Sequence, residues 1–199
     1  MTSLKTLTLA FTSLFFIACG SGSNAPRTSA NEASYVIAQK TTQNEILTAI
    51  NDARAVARDC HDGKGLVTEA PALIWNNELY SASYEHSYDL AQSNTFSHYG
   101  SGTASDITGS NNNNVSYFND RIKANGYVEY RTIGENIAGG QGSIEEAVEA
   151  WLNSPAHCTN MMNPNFKEIG VAVVIDESSE YGIYWTQSFG AKNNNFKLF

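Results

Sequence analysis

Trp151-Leu152-Asn153-Ser154-Pro155-Ala156-His157-Cys158-Thr159-Asn160-Met161-Met162 is the stretch around which the chain is arranged. A helix ends inside it and a new one begins. Ser154 before Pro155 is an N-cap followed by proline at the first helical position, where a missing N–H costs nothing. His157 then lies in the first turn, beside the positive end of the helix dipole. The dipole disfavours an imidazolium there and leaves a neutral ring able to act as a ligand. Cys158 follows directly and offers a tie to another part of the fold. Two upstream segments supply partners for His157: Phe96-Ser97-His98-Tyr99-Gly100 and Gly134-Glu135-Asn136-Ile137-Ala138.

Just N-terminal to this stretch, Ser143-Ile144-Glu145-Glu146 is a capping box, and Ala147, Val148, Trp151 and Leu152 give its helix a buried stripe. On the C-terminal side, Ile169 to Ile175 is a continuous apolar run and Tyr184 to Phe189 alternates. The turn from Asp176 to Gly182 makes them an antiparallel hairpin. Working back, Gly134 to Ala138 is short and extended. Val115 to Asn125 reads as a helix with Phe118 and Ile122 inward and Arg121 available for a loop carbonyl or a carboxylate. Residues 101–114, rich in Gly, Ser, Thr and Asn, read as a mobile surface loop. Asp106 is its one charged residue, either solvated or lining the mouth of the site.

A helix from Asn76 or Asn77 to about Ser93 turns Leu79, Ala82, Ser83, His86, Leu90 and Ala91 inward. His86 is read as a hydrogen-bonded core histidine, with a ligand role as the alternative. Tyr80, Tyr84 and Tyr88 form a second stripe at the edge of the core. The first helix opens on the capping box Thr42-Gln43-Asn44-Glu45 and buries Ile46, Leu47, Ile50, Ala53 and Ala57, with Asn51 and Arg54 placed to pin a neighbouring loop. His61, in the loop after it, is solvated. No strand–helix–strand rhythm is present, so the class is α+β, with helices packed around a small antiparallel sheet.

The totals bound the rest. The 199 residues, 42% hydrophobic and 11% aromatic, suffice for one domain with one core. The net charge of -8, with only 12 Lys and Arg and no basic run, argues against nucleic acid and against direct attraction to anionic lipid. Residues 1–18 have the form of an export signal, one lysine and then an apolar run too short to span a membrane comfortably. Small residues flank Cys19 as in a bacterial lipobox, which makes Cys19 the lipidated residue. The alternative is an ordinary signal cut nearby. Residues 19–41 are a flexible tether, 42–192 the domain and 193–199 a C-terminal tail. Without Cys19, Cys60 and Cys158 remain as a disulfide candidate or as two separate buried thiols.

Ser97-His98-Tyr99-Gly100, Gly134-Glu135-Asn136-Ile137-Ala138, Trp151 through His157-Cys158 into Ile169-Gly170-Val171-Ala172, and Tyr184-Trp185-Thr186-Gln187 come in the order of the CAP superfamily. That superfamily joins cysteine-rich secretory proteins, antigen five and pathogenesis-related proteins, also called SCP-like extracellular proteins. From about residue 43 to 191 the chain resembles its bacterial branch. The resemblance implies an α-β-α sandwich with a central cleft, where two histidines can hold a divalent metal, often zinc. His98 matches the first histidine, Glu135 the glutamate of the Gly-Glu-Asn motif and His157 the second histidine. Ser154 stands where the animal pattern has a second glutamate, so a full pair of acid/base carboxylates is not expected.

Two neutral imidazoles and water suit zinc. A carboxylate outside the metal's shell can orient a histidine N–H, or take a proton from bound water. The expected cleft comprises His98, Glu135, His157, Ser154 and Tyr99, with His98 and His157 as metal ligands. The functional expectation is an exported, monomeric, non-enzymatic binding module for a lipid, sterol-like molecule or peptide. It would meet a membrane only through its N-terminal anchor, as an outer-membrane lipoprotein, or else be secreted. The alternative is a metal-dependent hydrolase outside the cytoplasm, acting on peptide, cell-wall or nucleic-acid bonds, with Glu135 as base.

Overall fold

The computed structural model describes residues 38–193. The expected signal, Cys19, most of the tether and the end of the tail lie outside the described residues. The elements are helix α1 (Gln43–Arg54), strands β1 (Arg58–Asp59), β2 (Leu66–Val67) and β3 (Ile74–Trp75), helices α2 (Asn77–Ser93), α3 (Ile107–Asn111) and α4 (Phe118–Ala124), strand β4 (Tyr130–Gly139), helices α5 (Ile144–Leu152) and α6 (Pro155–Met161), and strands β5 (Glu168–Ile175) and β6 (Ile183–Lys192).

A four-stranded sheet in the order β3-β5-β6-β4 forms the middle layer. β5 and β6 are the expected antiparallel hairpin, and β4 pairs antiparallel with β6, setting Glu135 opposite Ser188 and Asn136 opposite Gln187. β3 departs from the antiparallel expectation and runs parallel to β5, through Ile74 opposite Glu168. The long excursion between them, from α2 to α6, lets the chain return in the same direction. β4 is also longer than the short segment read from sequence, because its outer half is only partly buried and lacks a clear apolar pattern.

One helical layer, α1, α5 and α6, packs Ile46, Ile50, Ala147, Trp151 and Met161 against Ile169, Val171, Trp185 and Phe189 of the sheet. Each large side chain so buried contributes roughly 1.5–3 kcal/mol. The Trp151 indole N–H, fully buried, donates to the Ile137 carbonyl at 3.0 Å, so this anchor carries no orphan donor. The other layer is α2 with α4. There Leu79, Ala82 and Ile122 meet Tyr127, and Leu90 and Ala91 meet Ile137 and Tyr184. α2 lies unusually close to the sheet. A Cβ on Gly170 would stand 1.9 Å from the Tyr80 backbone nitrogen, so only glycine fits there. The Ser83 hydroxyl donates to the Gly170 carbonyl at 2.9 Å and is hydrogen-bonded to the Ser188 hydroxyl at 2.9 Å, and Ser87 donates to the Thr186 hydroxyl at 2.8 Å. The result is an α-β-α sandwich.

Two expectations are corrected. Residues 101–114 do not behave as a loose loop: they contain α3 and are held by buried carboxylates. Asp106 does not line a site mouth. It is 1% exposed and accepts from the N–H groups of Gly102, Gly109 and Ser116 at 3.1, 3.0 and 2.9 Å. Asp89 accepts from the Ser101 N–H and from the Ser101 and Ser105 hydroxyls. The tyrosine stripe lies at the edge of the packed layer, with Tyr80 and Tyr84 39% and 48% exposed.

Candidate functional site

Three segments converge on one open cleft of about 320 Å³, walled by His98, Glu135, Asn136, His157, Thr159 and Asn160 among others. His98 leaves the end of α2, Glu135 sits in the middle of β4, and His157 stands on the first turn of α6. The two imidazole centroids are 6.3 Å apart. His98 Nδ1 lies 2.9 Å from Glu135 Oε1. Arg121, from α4, donates to Glu135 Oε2 at 2.8 Å and to the His98 carbonyl at 3.1 Å. Its other nitrogen donates to the Ser116 carbonyl and hydroxyl, so the guanidinium is fixed from two sides.

The electrostatics follow from this packing. Burial alone would raise the Glu135 carboxyl. The neighbouring His86 and Arg121 charges and the bonds from His98 and Arg121 outweigh it and hold the group down at about 2. His86 is itself pushed down to about 4 by burial and is uncharged at neutral pH, so Arg121 supplies the charge that counts. An ionised carboxylate only accepts, so the His98 nitrogen that faces it, Nδ1, carries a hydrogen, and in the neutral ring the lone pair is left to Nε2. The His157 ring is also shifted down, first by burial and then by the nearby His98, which keeps it neutral.

α6 is held in place from three directions. Cys60 and Cys158 form a disulfide, both sulfurs buried, that ties α6 to the β1–β2 region directly beside His157. Arg54, fully buried, donates to the Met161 and Asn163 carbonyls at the end of α6 and twice to the Pro71 carbonyl. Asn136 donates to the His157 carbonyl at 3.1 Å, and Asn160 donates to the Asn136 side chain at 2.9 Å. Gly134 makes room for this approach, since a Cβ there would meet Asn160 at 2.7 Å.

The structure thus brings His98, Glu135 and His157 together. Ser154 occupies the N-cap position with an extended backbone, but its hydroxyl makes no capping bond and it is not in the cleft wall. Tyr99, also expected in the cleft, is not in its wall: it is exposed and edge-on to Tyr117 at 5.1 Å. His86 is fully buried behind Glu135, its Nε2–H donating to the Ser97 carbonyl at 2.9 Å. Asn136 and Asn160 were missed by sequence reasoning. The signals for them were adjacency to Glu135 and the i, i+3 spacing from His157.

Both Glu135 oxygens are engaged, so the trio offers a metal two imidazole nitrogens and not a third ligand. Among the described residues, no group of three or more His, Cys, Asp or Glu is arranged to hold a metal ion. The donor set fits an open two-histidine site completed by water, and does not fit a closed structural one.

The profile of the cysteine-rich secretory protein family, CAP, matches residues 47–189. The protein YkwD of Bacillus subtilis (strain 168) is 49% identical over 73 residues, 37% of this chain and 26% of its own length. The membrane protein YlbC of the same organism is 31% identical over 121 residues, 59% of this chain and 28% of its length. The chain therefore spans about a quarter of each of these relatives. Among solved structures, an extracellular protein containing an SCP domain from Bacillus anthracis superposes with a TM-score of 0.52 at 26% identity, covering 75% of this chain and 41% of that one. An outer surface protein from Borrelia burgdorferi superposes with a TM-score of 0.53 at 18% identity, covering 77% of this chain and 97% of that one, a likeness of fold. No helix among the described residues is long and apolar enough to cross a membrane. Profile, sandwich and the order of the His98, Glu135 and His157 segments agree: this chain belongs to the CAP family.

Proposed function

We propose that the protein is an exported binding module, without catalytic turnover, whose cleft takes one divalent cation on His98 and His157. Zinc is the ion best suited to two neutral imidazoles and water. The observation that carries this reading is the Arg121–Glu135–His98 chain. It fixes the His98 tautomer and frees its second ring nitrogen, the usual arrangement behind a metal-binding histidine.

The same chain weighs against hydrolysis. A carboxylate held at about 2 and bonded to Arg121 is a poor proton acceptor at neutral pH. The side chains of Asn160, Asn163 and Thr159 line the cleft beside the histidines, which suits a polar, peptide-like guest better than a lipid chain. The buried disulfide and the extracellular and surface proteins among its structural relatives support export. Attachment through a lipid on Cys19 is part of the same proposal.

Calorimetric titration of the purified domain with zinc tests the reading. One ion is expected to bind wild-type protein, with binding lost in His98→Ala and in His157→Ala. Equal zinc binding in all three proteins would remove the site.

A further inference from the structure

From Trp75 on β3 along α2, the rings of Trp75, Tyr80, Tyr84 and Tyr88 follow one another at centroid distances of 5.6, 6.3 and 6.4 Å. Two open hollows flank the row and share Tyr80, one of about 360 Å³ towards Gln39, Gln43 and Asn77, the other of about 410 Å³ towards Ser81, Ile107 and Asn125. We propose that this row is a binding surface for a neutral, β-1,4-linked glycan, separate from the histidine cleft.

Rigidity is the first argument. The Trp75 indole donates to the Asn77 side chain at 3.1 Å, and each ring leans on the next. α2 itself is locked to the sheet at Gly170 and through Ser83 and Ser87, so little side-chain freedom remains to be lost on binding.

Charge is the second. In a chain of net charge -8, the only charged residue lining either hollow, among the described residues, is Glu85. That residue is buried, and its oxygens are occupied by the Thr108 N–H at 2.7 Å and the Asn125 side chain at 2.8 Å. What lines the hollows is a row of aromatic rings bordered by neutral amides and hydroxyls, with apolar ground between them from Ile46 and Val173 on one side and Ile107 on the other. An all-equatorial pyranose matches that pattern: its C–H faces meet the electron-rich ring faces, and its hydroxyls exchange hydrogen bonds with the amides. An anionic polymer finds no cation among the described residues of these hollows, and a lipid chain finds no enclosed apolar tunnel.

Calorimetry on the intact domain with chitohexaose and with cellohexaose tests the proposal, repeated with the corresponding trisaccharides. One of the hexasaccharides is expected to bind, and its trisaccharide to bind more weakly, because a short chain covers fewer rings. Tyr84→Ala should lower affinity by about tenfold or more, and Tyr84→Phe, which keeps the ring, should stay within about threefold. Both variants change a half-exposed side chain, and their melting temperatures should match wild type. His98→Ala should bind as wild type does, which keeps this result apart from that of the metal site. The proposal is overturned if neither hexasaccharide binds at millimolar concentration, or if Tyr80→Ala and Tyr84→Ala bind like wild type. Tyrosine-dependent binding of phosphatidylcholine vesicles or of an apolar peptide, with none of glycan, would also overturn it.

Discussion

Arg121 is the residue on which the character of the cleft turns. It is 1% exposed, and its charge is balanced by Glu135 alone at salt-bridge distance among the described residues. Its energetic weight comes from what its loss would leave behind. Without the guanidinium, Glu135 would be a buried carboxylate facing only histidines, the His98 carbonyl would lose the Arg121 donor, and the Ser116 carbonyl would keep only the Gly100 N–H. Breaking one side of such a buried pair costs about 3–5 kcal/mol, far more than a surface ion pair is worth. Arg121→Met should therefore lower the unfolding free energy by that amount in urea titrations. A loss below about 1 kcal/mol would mean that solvent reaches the pair and that Glu135 is not fixed as described. The exposed Lys192–Glu78 bridge is the internal comparison, since Lys192→Ala should change stability by at most about 1 kcal/mol.

At the scale of the element, α6 is too short to hold itself. A helix of 7 residues has hardly passed its own nucleation cost, and no side-chain cap satisfies its first N–H groups. Its position is imposed from outside, by the disulfide at Cys158, by Arg54 at its final carbonyls and by Asn136 at His157. The disulfide closes a span of 98 residues, which in the chain-entropy model stabilises by about 4–5 kcal/mol. The double variant Cys60→Ser, Cys158→Ser should lose about that much in denaturant unfolding. The same variant, still folded at low temperature, should bind zinc more weakly, because α6 would no longer present His157 in a fixed place. Unchanged zinc affinity together with reduced stability would show that Arg54 and Asn136 suffice to hold the helix.

Across the whole molecule, what could be read in advance was what is local. The capping box at Thr42–Glu45 forms as its residues dictate, and the hairpin of β5 and β6 follows from its apolar pattern and its turn. The order of residues 101–114 was not legible, because it comes from carboxylates whose partners are backbone N–H groups brought together only by folding. The convergence of His98, Glu135 and His157 was legible through motif order. The role of Arg121 was half legible, since both a loop carbonyl and a carboxylate were open to it and it takes both. These buried groups give the molecule a common response to acid. His86 is depressed from 6.5 to about 4, chiefly by burial. Among its neighbours, the charges of Glu135 from β4 and Asp89 from α2 oppose the shift, and that of Arg121 from α4 reinforces it. Glu135 is depressed from 4.5 to about 2. In both cases the folded protein binds protons less readily than the unfolded chain, so stability falls as pH falls. The His86 contribution is whole above about pH 6.5 and lost on the way to about 4, and that of Glu135 is whole above about 4.5 and lost towards 2. Urea midpoints should therefore be flat above neutrality, decline from about pH 6.5 and steepen below about 4.5. His86→Gln, whose amide N–H can still donate to the Ser97 carbonyl, should flatten the upper part of that decline, leaving the share due to His157, and should make the lower part shallower without removing it, because the His86 charge is one of the influences that hold Glu135 down and Arg121 remains. If the upper slope persists unchanged in that variant, His86 is not held neutral by burial, and the closed packing behind the cleft is not maintained in solution.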